Sequence, residues 1–358
     1  MVRLLALINN THSIPSKLLL DARSITQLLY MHSVYKEQFL DENTILLWKG
    51  NKTDLLLASK LINLPKNYHI LDIDSKDKAL FFNYKTAREI KNICKPISIF
   101  SNNQLCTSYA SGMYFELLKS SLSVGDDDVI QFDDGLVNEI IEINNYRFLR
   151  FIIYLFQGFF SFPSKYRMFS DKRFKKIYTS INPDNIFLYE SKKIVDISKF
   201  VSKNFYQISL EHLNIVNSKS AILMTTHSVE SERMSAGEYR QLILNVHSKL
   251  KELGIKDIYL SKHPDEKCSN DDFYSEIGLI LSYQDYPSEL LVANKNITFI
   301  ANPINSTIMM SDYLKHLNEI DSVISYCPKN SPHMESRIKM VAKILAKYDA
   351  NHHVLQDL

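Results

Sequence analysis

Residues 221–264, AILMTTHSVESERMSAGEYRQLILNVHSKLKELGIKDIYLSKHP, contain one complete strand–helix–strand unit. The apolar opening at 221–226 predicts a strand. A helix is predicted next, because apolar residues recur with a period near 3.6 between 236 and 253. Gly254 follows the last of them, as is typical of a glycine that ends a helix. A second strand is predicted at 257–260, so the stretch predicts parallel strands joined by a helix.

The same alternation extends over the rest of the chain. Further strands are predicted at 3–8, 44–48, 69–73, 97–100, 129–132, 297–300 and 322–326, and further helices near 85–94, 108–118 and 333–348. Two successive runs of this kind predict an α/β fold with two parallel-sheet domains, joined by a linker within 196–220. Ligands of such sheets bind beyond the carboxyl ends of the strands. The residues that follow each strand are therefore the first candidates for a site.

The composition excludes several classes of protein. The chain has 358 residues, and 42 Lys+Arg against 40 Asp+Glu leave a net charge of +2, which argues against binding to nucleic acid by bulk charge. A hydrophobic content of 45% excludes global disorder. Only 8 residues are glycine, about 2% against a usual figure of about 7%, which argues against glycine-rich phosphate loops. The 4 cysteines have neither zinc nor disulfide spacing and predict reduced thiols in a cytosolic protein.

One segment departs from the alternation. Residues 146–178 carry eight basic residues against one acid, a net charge of +7, and include an aromatic and apolar run at 148–162. The charge-free stretch 151–164 has 14 residues, whereas a membrane span needs about 20. One interpretation is an interfacial element that lies on an anionic membrane face. The other is a core helix followed by a solvated basic loop.

Two adjacent carboxylates follow the predicted strand at 129–132. Asp133 and Asp134 repel each other, so one of them is a candidate general base. Gly135 permits a tight turn and the close approach of a ligand. The alternative is an ordinary strand-to-helix turn in which an aspartate caps the helix.

Two polar motifs in the second half suit a phosphate. Lys262, His263 and Pro264 follow the strand at 257–260, and an imidazole beside a cation can donate a proton or a hydrogen bond to a phosphate or a departing oxygen. Ser306 and Thr307 precede a predicted helix, and paired hydroxyls at a helix N-terminus suit a single phosphate. A surface turn and a helix cap are the respective alternatives.

Single polar residues are weaker candidates. Glu289, in the stretch Tyr-Pro-Ser-Glu-Leu-Leu at 286–291, is by itself more typical of a solvated or capping acid. His227 follows the strand at 221–226, and Asn10 and His12 follow the strand at 3–8. Each of these three can face a ligand at a strand end, with a surface or capping role as the alternative.

The Asp-Asp-Gly, His-Pro, Pro-x-Glu-Leu-Leu and Ser-Thr motifs, in this order and at strand ends, resemble those of bacterial sialyltransferases. The resemblance is to glycosyltransferase family 52 and the related polysialyltransferases, and it is best over 220–328. It implies a GT-B fold, in which two Rossmann-like domains face each other across a cleft. An acceptor-side domain is then expected at 1–200, and a CMP-sugar-binding domain at 215–358 whose last helix packs back on the first.

On the donor side, the resemblance implies inverting transfer of sialic acid or a related nonulosonic acid from a CMP-sugar, with no cofactor and no metal in catalysis. His263 would act as general acid or stabilise departing CMP. The hydroxyl pair would bind the phosphate, and Glu289 would help to hold the cytidine part. The donor-side residues are then Lys262, Pro264, Glu289, Ser306 and Thr307.

On the acceptor side, Asp134 would be the general base that deprotonates the acceptor hydroxyl. Its acceptor-side neighbours are Asp133, Gly135, Asn10 and His12. Some relatives instead place a carboxylate between the first strand of the second domain and the His-Pro motif. There this chain offers Glu230, Glu232 and Glu238, so the base stays open between two regions.

The expected acceptor is a bacterial surface glycan: a lipooligosaccharide, O-antigen or capsule precursor. The basic segment predicts a lipid-linked acceptor and a cytoplasmic protein that is peripheral on the inner face of the plasma membrane. No nucleic-acid partner is expected, and a homodimer is expected because relatives form dimers. The alternatives are a hexosyltransferase of the same fold that uses a UDP-sugar, and a non-catalytic glycan-binding or assembly protein.

Overall fold

The chain divides into two units, Met1–Ile197 and Ser198–Leu358, and strand alternates with helix in both. The computed structural model describes residues 17–71, 84–96, 103–108, 112–132, 176–180, 193–266, 270–303, 320–326, 342 and 351–355. The predicted strands at 3–8 and 97–100, almost all of the predicted last helix and most of the basic segment lie outside these residues.

The first unit contains a seven-stranded sheet in which every pairing is parallel. Its strands are β1 (Lys17–Ala22), β2 (Thr44–Trp48), β3 (Asn67–Ile70), β4 (Asn103–Thr107), β5 (Val129–Phe132), β6 (Lys176–Thr179) and β7 (Lys193–Asp196). The order across the sheet is β3-β2-β1-β4-β5-β6-β7. The strand order reverses between β1 and β4, as it does in a Rossmann sheet.

Among the described residues of this unit, four helices connect these strands, with short 3₁₀ turns at Gln38–Leu40 and Asp126–Asp128. They are α1 (Ile25–Tyr35), α2 (Lys52–Leu61), α3 (Tyr84–Cys94) and α4 (Gly112–Ser121). The side chains of Ser24 and Asn51 cap α1 and α2 by accepting from backbone N–H groups of the first turn. One core cluster joins Leu19 and Leu105 of the sheet to Ile90 of α3 and Phe115 of α4, which fixes the helices against the sheet.

The second unit contains a five-stranded parallel sheet in the order β12-β11-β10-β8-β9. Its strands are β8 (Ser220–Met224), β9 (Ile258–Ser261), β10 (Ile297–Pro303), β11 (Ser322–Tyr326) and β12 (Asn351–Leu355). A single parallel bridge between Tyr259 and Ile280 adds one residue beyond β9. With this bridge as its third strand, the sheet also has the Rossmann order, and the order reverses between β8 and β10.

The helices that the structure describes with bounds in the second unit are α5 (Ser198–His212), α6 (Ala236–Glu252), α7 (Asp271–Glu276) and α8 (Ser288–Val292). Tyr239, Leu242, Ile243, Val246 and Leu250 form the buried face of α6. They pack with Leu223 and Leu260 in one core cluster. This packing holds β8 and β9 against the same helix. The ends of the two strands are therefore fixed relative to each other, and the residues that follow them start from fixed positions.

The predicted α/β fold with two Rossmann-like domains is confirmed. The strands predicted at 44–48, 129–132 and 322–326 have the expected bounds, and the βαβ unit at 221–264 is present. Gly254 adopts a left-handed conformation with φ of +81°, as a glycine after a helix should. The interval 196–220, expected to hold the linker, is largely occupied by α5. Within the described residues, no helix has both the length and the apolar character needed to cross a membrane.

Candidate functional site

The candidate site is formed by the two segments that follow β8 and β9. The strands end in register, with Met224 opposite Ser261. The Thr225 N–H donates to the Ser261 carbonyl over 2.9 Å, and the His263 N–H donates to Thr225 Oγ1 over 2.9 Å. These contacts bring His227 and His263 together at the carboxyl edge of the sheet, next to the point where the strand order reverses.

The two imidazoles are half-buried, with ring centroids 4.4 Å apart and planes tilted by 37°. Nδ1 of His263 accepts a hydrogen bond from the Asp265 backbone N–H over 3.1 Å. In the neutral ring the proton is therefore on Nε2. Burial lowers the pKa of His263, and the neighbouring His227 lowers it further, while Asp265 and Glu230 raise it. The hydrogen bond to Nδ1 and the lowered pKa both favour a neutral His263 ring that presents an Nε2–H donor.

A metal ion fits this cluster poorly. His227, His263 and Asp265 can each offer one ligand atom, and these atoms lie within 4.8 Å of one another. A metal on Nε2 of His263 would need the proton on Nδ1, where it would face the Asp265 N–H. A metal on Nδ1 would displace that donor, whereas a ligating histidine normally donates its second N–H to an acceptor. The hydrogen bond therefore favours a donor role for His263, and the expectation of metal-independent catalysis stays a prediction.

The predicted neighbours of His263 have different environments. The Lys262 side chain is 8% exposed, and its Nζ lies 2.7 Å from Asp271 Oδ1, so its charge is already paired. Pro264 is exposed. Glu289 is half-buried in the first turn of α8 and accepts from Ser288 Oγ over 3.3 Å. The other predicted site residues lie outside the described residues: Asn10, His12, Asp133, Asp134, Gly135, Ser306 and Thr307.

The structure separates the three alternative bases. Glu238 is exposed and belongs to a capping box, in which Ser235 Oγ accepts from the Glu238 N–H and the Glu238 carboxylate accepts from the Ser235 N–H. Glu232 is exposed, with φ of +57°. Glu230 is half-buried, and its charge is the smallest of the contributions that shift the pKa of His263, in the raising direction. Of the three, Glu230 is the one that the structure connects to the site.

Ser235→Ala should lower the free energy of unfolding by about 1 kcal/mol, because the N-cap acceptor of α6 is lost. Glu238→Gln should keep most of that stability, since glutamine also completes a capping box. Urea unfolding of both variants beside the wild type measures the difference. Turnover of the folded Glu238→Gln protein should equal that of the wild type. A large loss of turnover would instead make Glu238 part of the site.

A second polar cluster, which was not predicted, lies at the carboxyl edge of the first sheet. Asp21 on β1 is buried and pairs with Lys49 Nζ, the nearest atoms being 2.9 Å apart. Its carboxylate also accepts from Thr107 Oγ1 over 2.7 Å and from Tyr114 OH over 3.0 Å. The pair and its hydroxyl partners tie the ends of β1, β2 and β4 together where the strand order reverses. An aspartate inside the apolar run Leu-Leu-Leu-Asp-Ala was the available signal.

No protein-family model matches the sequence, and no curated protein matches it. Among solved structures, a candidate UDP-N-acetylglucosamine 2-epimerase from Listeria monocytogenes is similar, with a TM-score of 0.50 and 10% identity over 91% of this chain and 82% of that one. A UDP-GlcNAc 2-epimerase from Neisseria meningitidis bound to UDP-GlcNAc has a TM-score of 0.49 and 11% identity over 93% and 90%. An α/β-galactoside α-2,3-sialyltransferase from Photobacterium phosphoreum has a TM-score of 0.48 and 10% identity over 94% and 97%. At these identities the likeness concerns the fold alone.

Proposed function

We propose that this chain is an inverting glycosyltransferase that moves sialic acid, or a related nonulosonic acid, from a CMP-sugar to a hydroxyl of a bacterial surface glycan. One observation carries the proposal: a neutral His263, with its donor on Nε2, lies beside His227 at the carboxyl ends of β8 and β9. Both residues lie next to the reversal of strand order, where sheets of this type bind nucleotides. A hydrogen-bond donor at this place suits an anionic leaving group.

His263 acts on the leaving group as a hydrogen-bond donor in this proposal. The second pKa of a phosphate monoester is about 6. Departing CMP is therefore stable as an anion near neutral pH and needs a hydrogen bond more than a proton. A neutral imidazole provides that bond without the cost of charging a half-buried ring. Ser306 and Thr307, which follow β10 in the sequence, are the proposed hydroxyl partners of the same phosphate.

The acceptor side of the proposal comes from the first unit. Asp134 is the second residue after β5 and is the proposed base for the acceptor hydroxyl. Displacement at the anomeric carbon passes through an oxocarbenium-like state, as in glycoside hydrolysis. A base for the attacking hydroxyl and a donor for the departing phosphate are then the groups that the reaction needs. The basic segment 146–178 supports a lipid-linked acceptor on an anionic inner leaflet.

A donor panel tests the proposal. Purified protein is incubated with CMP-sialic acid, UDP-glucose, UDP-galactose and UDP-N-acetylglucosamine, each with a mixture of lipooligosaccharide acceptors, and the released nucleotide is measured. Release of CMP that depends on the acceptor and persists in EDTA is the expected result. Turnover with a UDP-sugar and none with CMP-sialic acid would establish the hexosyltransferase alternative. Acceptor binding without nucleotide release from any donor would indicate a glycan-binding protein.

A further inference from the structure

A buried acid lies directly behind the loop that carries His263. Glu266 is 6% exposed and is the one buried acidic residue among the described residues of the second unit. It comes three residues after His263, in the same turn, and its backbone N–H donates to the His263 carbonyl over 2.9 Å. Burial of a carboxylate costs free energy unless hydrogen-bond donors surround it. Its hydrogen-bond partners therefore show which elements it connects.

Each oxygen of the Glu266 carboxylate accepts from a different element. One oxygen accepts from the Thr225 hydroxyl at the end of β8. The other accepts from the Tyr274 hydroxyl of α7, and from Asn270 Nδ2 over 3.4 Å. Thr225 Oγ1 in turn accepts from the His263 N–H over 2.9 Å. The carboxylate is therefore connected to His263 twice, through Thr225 to its N–H and through the turn to its carbonyl.

The hydrogen-bond donors around Glu266 suit the ionised form of its carboxylate. Burial raises the pKa of Glu266 above its ordinary value, although the hydrogen bonds from Thr225, Tyr274 and Asn270, and the charge of Lys262, oppose the rise. An ionised carboxylate is an acceptor only and satisfies every one of these donors. In Glu266→Gln, the side-chain NH₂ group would face either the Thr225 hydroxyl or the Tyr274 hydroxyl, each of which donates to the carboxylate in the wild type. The network would then break on the side of Thr225 or on the side of Tyr274.

We propose that Glu266 is a positioning residue that fixes the His263 ring, and with it the direction of the Nε2–H donor. Because the Thr225 hydroxyl donates to Glu266, its oxygen faces the His263 N–H. The turn that follows His263 is closed by the Glu266 N–H on the His263 carbonyl, and it places the Asp265 N–H on Nδ1 of the ring. Glu266 thus selects the tautomer of His263 without contact with a ligand. That the donor faces a CMP phosphate rests on the function proposed above, whereas the control of the ring by Glu266 does not.

Histidine NMR of the protein without ligand tests the inference directly. Glu266→Gln is compared with Glu276→Gln, the same change at an exposed residue of α7, and His263→Gln assigns the resonance. In the wild type and in Glu276→Gln, the nitrogen shifts of His263 should report a neutral ring with the proton on Nε2. In Glu266→Gln the two tautomers should mix, and the pKa of His263 should move up towards its ordinary value as the loop loosens.

Kinetics supply the second measurement. With CMP-sialic acid as donor, Glu266→Gln should lower kcat about tenfold with a small change in KM, the cost of a slight displacement of a group in the site. Glu276→Gln should leave both constants unchanged. Wild-type transfer together with an unaltered His263 resonance in folded Glu266→Gln would overturn the positioning role alone. If the His263 resonance changes in Glu266→Gln but the wild type transfers no sugar from CMP-sialic acid, the positioning role is retained and the proposed function is rejected.

A pair of variants at Thr225 covers the case in which Glu266→Gln does not fold. Thr225→Val removes the hydroxyl that links the carboxylate to the His263 N–H, and it should give the same mixed tautomers and the same loss of kcat. Thr225→Ser keeps the hydroxyl and should restore the wild-type resonance. Identical His263 resonances in the valine and serine variants would contradict the inference.

Discussion

His263→Ala is expected to lower turnover with a CMP-sugar by about 10²-fold or more, the size of effect produced by loss of a group that acts on the departing oxygen. The proposed function gives the physical reason. The Nε2–H of His263 is a fixed donor at the carboxyl edge of the second sheet, and alanine leaves the developing charge on the phosphate without it. The loss should fall on kcat and on kcat/KM equally, because the hydrogen bond strengthens as the charge develops.

The matched control for this substitution is His247→Ala. His247 is also half-buried, and burial followed by the charge of Lys251 lowers its pKa, so it resembles His263 in its titration. It lies in the second half of α6, however, away from the residues that follow β8 and β9. Turnover of His247→Ala should remain close to that of the wild type. Equal losses in the two alanine variants would show a general loss of folding and would contradict a role for His263 in the reaction.

Turnover should fall at low pH, and only below the ordinary pKa of a histidine, because the pKa of His263 is lowered. The folded protein holds the pKa of His263 below its ordinary value of 6.5, so the neutral ring persists as the pH falls to 6.5 and below. Turnover should decline only when the pH passes through the lowered pKa, because a proton on Nδ1 would face the Asp265 N–H. The free energy of unfolding should also decrease as the pH falls. The unfolded chain takes up its proton first, so the contribution of this histidine is present above 6.5 and is lost below it.

Local sequence patterns were sufficient to predict the parts of the fold in which the spacing of apolar residues along the sequence matches the buried positions. The βαβ unit at 221–264 has an apolar stripe, a glycine stop and two apolar strands, and all of these correspond to the structure. Several elements were not predicted, and for two of them, β1 and α5, the physical reason is visible. β1 (Lys17–Ala22) is a central strand with a charged residue in it, and that charge is balanced by Lys49 from another segment. α5 has only a narrow apolar stripe, because Val201, Phe205 and Ile208 are the apolar members of a buried face whose other residues are serine and asparagine.

The site was predictable only in part, because its supporting contacts are tertiary. His227 and His263 could be identified since each follows a predicted strand. Thr225 and Glu266 could not, because their hydrogen bonds join segments that are distant in sequence. Lys262 was predicted as a donor-side cation. Its ion pair with Asp271 means that it would have to share its charge with that carboxylate when a phosphate binds.

Asp134→Asn is expected to lower turnover by about 10²-fold or more, and Glu230→Gln by much less, if the base lies in the first unit. The geometry of inversion supplies the reason. In an inverting displacement the attacking hydroxyl and the leaving group are on opposite faces of the sugar. Glu230 lies close enough to His263 to raise its pKa. In the proposed arrangement, a carboxylate whose charge acts on His263 belongs to the leaving-group side, where it is not placed to take the proton of the acceptor.

The two substitutions also differ in what they do to donor binding. Asp134→Asn should leave the affinity for CMP unchanged, because the base acts on the acceptor. Glu230→Gln should change that affinity, because it removes a negative charge next to the imidazole that faces the phosphate. Calorimetry with CMP and turnover with CMP-sialic acid measure both effects, with Asp128→Asn, the same change at an exposed residue of the 3₁₀ turn before β5, as the matched control. If Glu230→Gln abolishes turnover while Asp134→Asn retains it, the base lies in the second unit, and the acceptor must then approach from the face that carries His263.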